Sequence, residues 1–318
     1  MADFRLLHVT DTHLGVDQTF QGAPEGWRRA DDHLDALRAA LAPALRGEVD
    51  AVIHSGDVFD RSHAPIDAIV AAAELFAAVA RLVPMVLMPG NHDRFGLRLH
   101  FRHGIPGVEI CDEANQLRLG PLRVAFVPYL KDAADWAAAA RQAVGGGVDA
   151  LVAHQAFHGS RVPGFTFWEG RHPDTIGARH LPPGVRHILC GHIHHRQELR
   201  LGEALVVHPG STERTAWVER DGAKGYTAWQ WGGTPRWRHI DVPTRPMVLV
   251  ADPVDLEEVQ PGTLVHLESA IANDEIADAV VARGGYLTAW RKRAARQQRL
   301  FSGRRGEGSR GEALKGGE

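Results

Sequence analysis

The sequence predicts an α/β fold, a sheet with helical crossovers that carries a small α+β appendage. Three observations predict it. Short apolar runs alternate with longer helix-like segments over roughly the first 240 residues. Several of those runs end in a cluster of histidine, aspartate or asparagine. Past Pro243-Thr244-Arg245-Pro246 the composition changes, first to a short mixed segment and then to a basic, Gly/Ser/Glu-rich end. Alternation of strand and helix is the signature of a sheet built from crossover units.

Taken in order, Phe4–Thr10 reads as a strand and Trp27–Arg46 as a helix with acidic residues early and arginine at both ends. Ala51–His54 is a second strand, Pro65–Arg81 an alanine-rich helix and Met85–Met88 a third strand. Leu122–Val127 is a strand, Ala133–Ala143 a helix, and Ala150–Ala153 and His187–Cys190 two further strands. Between Gln197 and Asp241 the short runs Ala204–His208, Tyr226–Trp231 and Trp237–Val242, separated by Gly and Pro turns, read as an antiparallel meander closing the domain. The expected division is a catalytic domain over 1–242, a small capping-like appendage over 243–290 (strands Met247–Val250 and Leu264–Leu267, helix Asp274–Ala282), and a basic, disordered tail over 291–318.

Composition narrows the function classes. The chain has 318 residues, is 44% hydrophobic and 24% charged, and carries a formal net charge of -3. It is long enough to bury a core without staples. A polyanionic substrate would have to be held by a local patch or by bound cations, not by the whole molecule's field. Cys111 and Cys190 form no spacing motif, so no disulfide framework is expected. No basic-then-apolar leader opens the chain and no apolar run reaches bilayer length, so the expectation is a cytoplasmic protein with no membrane attachment.

The chemistry is concentrated at strand ends. The first strand runs into Asp11-Thr12-His13, the second into Gly56-Asp57, the third into Gly90-Asn91-His92-Asp93, a later one into His154, and the next into Gly191-His192-Ile193-His194. In open α/β sheets the ligand site lies outside the carboxyl ends of the strands, so these clusters can converge. Asp11, His13, Asp57, Asn91, His154, His192 and His194 offer two carboxylates, one amide oxygen and four imidazoles, with no thiolate. Mixed oxygen and nitrogen donors suit manganese, iron or zinc better than an all-oxygen calcium or magnesium cage. The set is too large for one ion with an open position, and two ions sharing a carboxylate fit better; such pairs stand about 3.5–4 Å apart and clamp the attacking and leaving oxygens of a phosphoryl displacement. Gly56, Gly90 and Gly191 each precede a candidate ligand and are expected to supply the sharp turns that aim it.

Asp-x-His, Gly-Asp, Gly-Asn-His-Asp, a lone His and Gly-His-x-His, in that order over residues 1–240, resemble the calcineurin-like metallophosphoesterases. The resemblance implies a four-layer αββα sandwich and phosphoester hydrolysis by water at two divalent ions. It implies that Asp11, His13 and His194 hold one ion, that Asn91, His154 and His192 hold the other, and that Asp57 bridges them. His92 would contact the phosphate and protonate the leaving oxygen, with Asp93 orienting it. Gly56-Asp57-Val58-Phe59-Asp60-Arg61-Ser62, Pro209-Gly210-Ser211-Thr212-Glu213-Arg214 and the pairing of Lys224-Gly225-Tyr226 with Thr244-Arg245-Pro246 are most similar to the SbcD-type DNA-repair exonucleases. That branch implies manganese-dependent exonuclease and endonuclease action on DNA, a coiled-coil ATPase partner of the SbcC type, and a homodimer with the Trp27–Arg46 and Pro65–Arg81 helices as its face, although core packing against the sheet explains those helices' apolar residues equally well. The chain departs from the archaeal and eukaryotic pattern at Asp60, where those relatives carry a histidine, and its appendage is short. Rival functions of the same cage are a phosphomonoesterase, a small-molecule (cyclic-nucleotide) phosphodiesterase, and a non-catalytic scaffold.

Substrate contacts are expected at Arg61 and, in the long segment Gln155–Pro183, at Phe167, Trp168 and Arg171, where aromatics interleave with arginine as in nucleic-acid stacking sites. An ordinary packed loop and a surface ion pair are the rival readings of these residues. Packing inside strands is expected of His8 and His54; His195 and His208 are open between a structural and a substrate-facing role.

Overall fold

The computed structural model describes residues 3–162 and 172–288. Its elements run β1 (Phe4–Val9), α1 (Arg29–Leu45), β2 (Ala51–His54), α2 (Ile66–Ala80), β3 (Met85–Leu87), α3 (Gly96–His100), β4 (Val108–Ile110), β5 (Asn115–Leu119), β6 (Leu122–Val127), α4 (Ala133–Val144), β7 (Ala150–His154), β8 (His187–Gly191), β9 (Gln197–Leu201), β10 (Ala204–His208), β11 (Gly225–Trp231), β12 (Arg236–Asp241), β13 (Met247–Val250), β14 (Leu264–Leu267), α5 (Asp274–Ala282) and β15 (Tyr286–Leu287).

Two six-stranded sheets form the body, in the orders β12-β11-β1-β2-β3-β4 and β5-β6-β7-β8-β10-β9. Within the first, β1, β2, β3 and β4 are parallel; within the second, β6, β7, β8 and β10 are. The layer order follows from the two-residue period of the strands. Leu6, Ile53, Val86, Val124, Phe126, Val152, Leu189 and Val207 point into a core between the sheets. Their neighbours Leu7, Val9, Val52 and Leu87 face outward onto Leu37 and Leu41 of α1 and Phe76 and Val79 of α2. On the far side Ala125, Val127, Leu151 and Ile188 face Trp136 and Ala140 of α4. The result is helix, sheet, sheet, helix. Both faces of the parallel strands are covered, which is why they read as continuous apolar runs.

The stretch from Gln197 to Asp241 departs from the expected meander. β9 and β10 pair with each other, and β10 lies parallel to β8 in the second sheet, whereas β11 and β12 extend the first sheet through β1. One continuous run of hairpins on a single sheet would leave either β1 or β8 as an open edge; splitting it lets β10 cover β8 and β11 cover β1. β4 escapes the sequence reading because it is only three residues long, and β5 and β9 because their burial is partial and their apolar content thin.

The described residues divide into two units, one of those up to Thr19 with those from Ala23 to Val248, the other of Phe20–Gly22 with residues 249–288. Against the expected boundary after residue 242, the Thr244-Arg245-Pro246 segment stays with the first unit. There Arg245 donates to both Asp32 oxygens at 2.6 and 2.5 Å, and its backbone N–H donates to Glu213. In the second unit β13, β14 and β15 make a three-stranded sheet, and Leu287 donates to the Gln21 carbonyl, which recruits Phe20–Gly22. Phe167, Trp168, Arg171 and the 291–318 tail lie outside the described residues. Among the described residues no helix is long and apolar enough to cross a membrane.

Candidate metal centre

The carboxyl ends of β1, β2 and β3 in one sheet and of β7 and β8 in the other bring the candidate ligands together. Backbone pairing continues past the ends of β1 and β2: Asp11 N–H donates to Gly56 and His13 N–H to Asp57, at 3.0 and 3.1 Å. The turn between them is pinned from three sides. Thr12 Oγ1 donates to the Val58 carbonyl and accepts from His54 Nε2, while His33 Nδ1 of α1 donates to the Thr12 carbonyl. His8 bonds Ser55 Oγ at 2.7 Å. His8 and His54 are thus packed scaffold, and His208 is fully buried.

Among the described non-glycine residues, left-handed backbone occurs at Asp11 (φ 51°), His13 (φ 45°), Asp57 (φ 53°) and His192 (φ 81°), all candidate ligands. Each such residue costs on the order of 1–2 kcal/mol, and strain of this kind collects at functional sites. This corrects the expectation that the preceding glycines make the sharp turns. Only Gly56 has positive φ; Gly90 and Gly191 are needed for space. A Cβ on Gly90 would sit 2.1 Å from Asp57 Oδ1 and 2.6 Å from His154 Nε2, and one on Gly191 would sit 2.2 Å from Thr10 Oγ1. Gly90→Ala is accordingly expected to displace Asp57, costing about 1–3 kcal/mol of stability as an overpacked site and weakening divalent-ion uptake; a metal titration beside a thermal melt checks both, and unchanged uptake would refute it.

The donors face inward. His154 Nδ1 lies 2.8 Å from the Ser55 carbonyl, an acceptor only, so it carries a proton and leaves Nε2 as the nitrogen that can ligate. That nitrogen meets Asp57 Oδ2 and Asn91 Oδ1, each at 3.2 Å, and Asp11 Oδ1 at 3.9 Å. His194 Nδ1 is 2.9 Å from Glu219 Oε1, which turns its Nε2 toward His13 Nε2 at 2.9 Å and Asp11 Oδ1 at 3.8 Å. His192 Nδ1 is 2.8 Å from Asn91 Oδ1. Asp57 stands between the two sets, 3.8 Å from His13 and 3.2 Å from His154. Lone pairs and carboxylate oxygens packed this closely repel one another unless a positive charge sits among them, so the donor set fits divalent cations.

Without an ion, a proton takes the place of the positive charge. Burial opposes charge on His154, yet Asp57 and Asp11 outweigh it and raise its pKa to about 9, so a bound cation would displace the proton that Nε2 shares with Asp57. Burial likewise opposes charge on Asp57, but His154 and His13 hold its carboxyl well below the carboxylate range. His192, buried beside His154, is lowered to about 3 and stays a neutral imidazole, the form that ligates. The donor atoms of Asp11, His13 and His194 lie within 4.8 Å of one another, as do those of Asp11, Asp57 and His154, and those of His13, Asp57 and His92.

His92 stands exposed at the mouth of the site. Its backbone N–H donates to Asp57 Oδ1 and its ring Nδ1 to the Asp60 carbonyl at 2.7 Å. Asp60, not Asp93, therefore orients the ring. Asp93 is fully buried, with one oxygen on the Val58 and Phe59 amides and the other on the Gly90 amide; it ties the third strand-end loop to the second. Burial, with Asp57 nearby, pushes its carboxyl up to about 7. Arg61 is exposed and lies 3.7 Å from Asp60, a distance at which an exposed pair contributes little. His195 is half-buried beside the centre. Glu219 and its neighbour Lys224 escape the sequence reading as site residues, because nothing in the spacing from His194 announces them.

A family model described as calcineurin-like phosphoesterase matches residues 4–196, a span that takes in every candidate ligand through His194. The chain belongs to the calcineurin-like phosphoesterases. This phosphoesterase is similar to the DNA double-strand break repair protein Mre11 of Haloferax volcanii, 30% identical over 244 residues that cover 70% of this chain and 48% of the relative. The Mre11 of Halobacterium salinarum is 32% identical over 232 residues, covering 70% and 55%. That of Methanosarcina mazei is 25% identical over 275 residues, covering 80% and 41%. The phosphoesterase spans about half the length of the curated relatives it matches.

Proposed function

We propose that this phosphoesterase hydrolyses phosphodiester bonds in DNA, as an exonuclease or endonuclease of DNA repair, with two divalent ions held by Asp11, His13, Asp57, Asn91, His154, His192 and His194. The observation that carries the bond type is the inward-facing cage around Asp57. What supports DNA is the similarity to Mre11 proteins, together with the matching motifs around Asp60, Arg214 and Arg245. Manganese is the ion proposed first, with iron or zinc as the others this donor set fits. When bound, the ions supply an acidified water and clamp the attacking and leaving oxygens.

The chain's own residues do the rest. Asp57 sits between the two ligand sets and keeps their charges at one point. Asn91 Oδ1, set between His154 and His192, adds a neutral donor, so the second set is less negative than one built on another carboxylate. With Nδ1 donating to the Asp60 carbonyl, His92 has Nε2 left to hold a proton over the phosphate and deliver it to the leaving oxygen. The same reading brings with it a cytoplasmic location, an ATPase partner of the SbcC type and a homodimer, the last two supported by the resemblance alone.

The test is purified protein with Mn²⁺ on end-labelled linear duplex DNA, run beside cyclic nucleotides and an aryl phosphate. Shortening or nicking of the DNA is expected. Intact DNA alongside turnover of a small substrate would move the reading to a small-molecule phosphodiesterase or a phosphomonoesterase, and no turnover at all would leave a scaffold.

A further inference from the structure

Behind His194 stands a buried polar cluster that the cage itself does not use. Glu219 ends the short 3-10 helix Trp217–Glu219. Its Oε1 accepts from His194 Nδ1 at 2.9 Å and from Thr215 Oγ1 at 2.8 Å. Its Oε2 accepts from Lys224 Nζ at 2.5 Å and from the Thr215 amide at 3.3 Å. Lys224 Nζ also donates to Ser211 Oγ at 2.7 Å and to the backbone carbonyl of His194 at 3.0 Å. The Glu219 side chain is 8% exposed and the Lys224 side chain 1%.

A buried ion pair is weak evidence for stability, because the desolvation of both charges offsets their attraction. Its placement is more informative. One lysine grips both the main chain of His194 and the carboxylate that holds the same residue's ring. The ring itself lies between two carboxylates, Glu219 at Nδ1 and Asp11 at Nε2. If its proton sat on Nε2, it would be shared with Asp11 or His13, and the nitrogen would be lost as a ligand. A full negative charge at Nδ1 holds the proton on the outer side. Carboxylate partners of this kind fix the tautomer and the orientation of a metal-binding histidine and raise its basicity.

We infer that Glu219 is a positioning residue of the metal centre, locking His194 with Nε2 bare and aimed at the ion shared with Asp11 and His13, and that Lys224 fixes Glu219 in turn. The inference rests on the proposed two-ion cage. It places the effect on one ion of the pair, since Glu219 touches none of Asn91, His154 and His192.

The experiment is a Mn²⁺ titration of the full chain by calorimetry, with electron paramagnetic resonance counting bound ions, for wild type, Glu219→Gln and Glu219→Ala. Wild type is expected to take up two ions. In both variants one ion is expected to bind about 10- to 100-fold more weakly, the size typical of such outer-shell changes, while the other keeps its affinity. Glu219→Gln preserves shape, so it answers the question even if Glu219→Ala fails to fold. Two ions bound with wild-type affinity in the variants would sink the Glu219 role alone, and so would an equal weakening of both ions, which marks general loosening. A wild-type chain that takes up no ion brings down the two-ion reading and this inference together.

Discussion

Asp57→Asn is expected to lower phosphodiester hydrolysis by about a thousandfold and to reduce bound divalent ions from two to at most one. The magnitude follows from the several kcal/mol of charge stabilisation that a metal site supplies, at about 1.4 kcal/mol per tenfold in rate. Asparagine is the informative replacement. Asp57 holds left-handed backbone at φ 53°, a conformation that Asn tolerates and Ala does not. Asn also keeps an oxygen for the His92 amide, now 2.9 Å from Oδ1. The fold around the second strand-end loop should therefore survive, and what is removed is one negative charge between His13 and His154. The measurements are initial rates on DNA and an ion count on the same preparation. Two ions retained with a loss of tenfold or less would mean that Asp57 does not join the ligand sets.

Much of this centre was legible because strands are short and their ends are punctuated. β2 is read to the residue, Ala51–His54, since all its side chains are buried and Gly56-Asp57 follow at once. The bounds of β6, β10, β13, β14 and α5 are likewise those read from the sequence. Each candidate ligand lies within a few residues of such an end, so chain order and chemistry coincide. Residues that act across the fold carry no local signal. Glu219 meets His194 across 25 positions, and Lys224 follows Glu219 through an irregular turn. His33 sits inside α1 and reaches the Thr12 carbonyl from another layer. A one-dimensional pattern records periodicity and punctuation; it does not record which loop lies over which.

Two departures have physical causes of the same kind. The family resemblance implied that Asp93 steadies His92, but the two side chains point apart. Asp93 goes inward to the amides of Val58, Phe59 and Gly90, and His92 outward to the Asp60 carbonyl. The glycines before the ligands suggested left-handed turns, yet the left-handed backbone falls on Asp11, His13, Asp57 and His192 themselves. A well-packed centre can carry that strain when pairing such as Asp11 to Gly56 and His13 to Asp57 over-determines the loops. The small residues are then spent where imidazoles and carboxylates pass closest to the main chain.

His92→Gln is expected to separate proton delivery from ion binding. The side chain is exposed and its backbone bond to Asp57 does not depend on the ring, so folding and an ion count of two should persist. On DNA the leaving group is an alkoxide, which departs slowly without a proton; losing a positioned general acid typically costs 10²–10⁴-fold, and a fall of about 10³-fold is expected here. An aryl phosphodiester leaves as a stabilised phenolate, so the same substitution should cost it only about tenfold. On DNA the limb of the pH–rate profile that reports the acid should flatten. The alternative role is already visible in the geometry, because the donor atoms of His13, Asp57 and His92 also lie within 4.8 Å of one another. If His92 were a ligand, the variant would lose an ion and both substrates would slow together. If it only attracted the phosphate, both would slow through KM with two ions in place. A leaving-group-dependent loss in kcat with the ions retained is the one result that a proton donor alone produces.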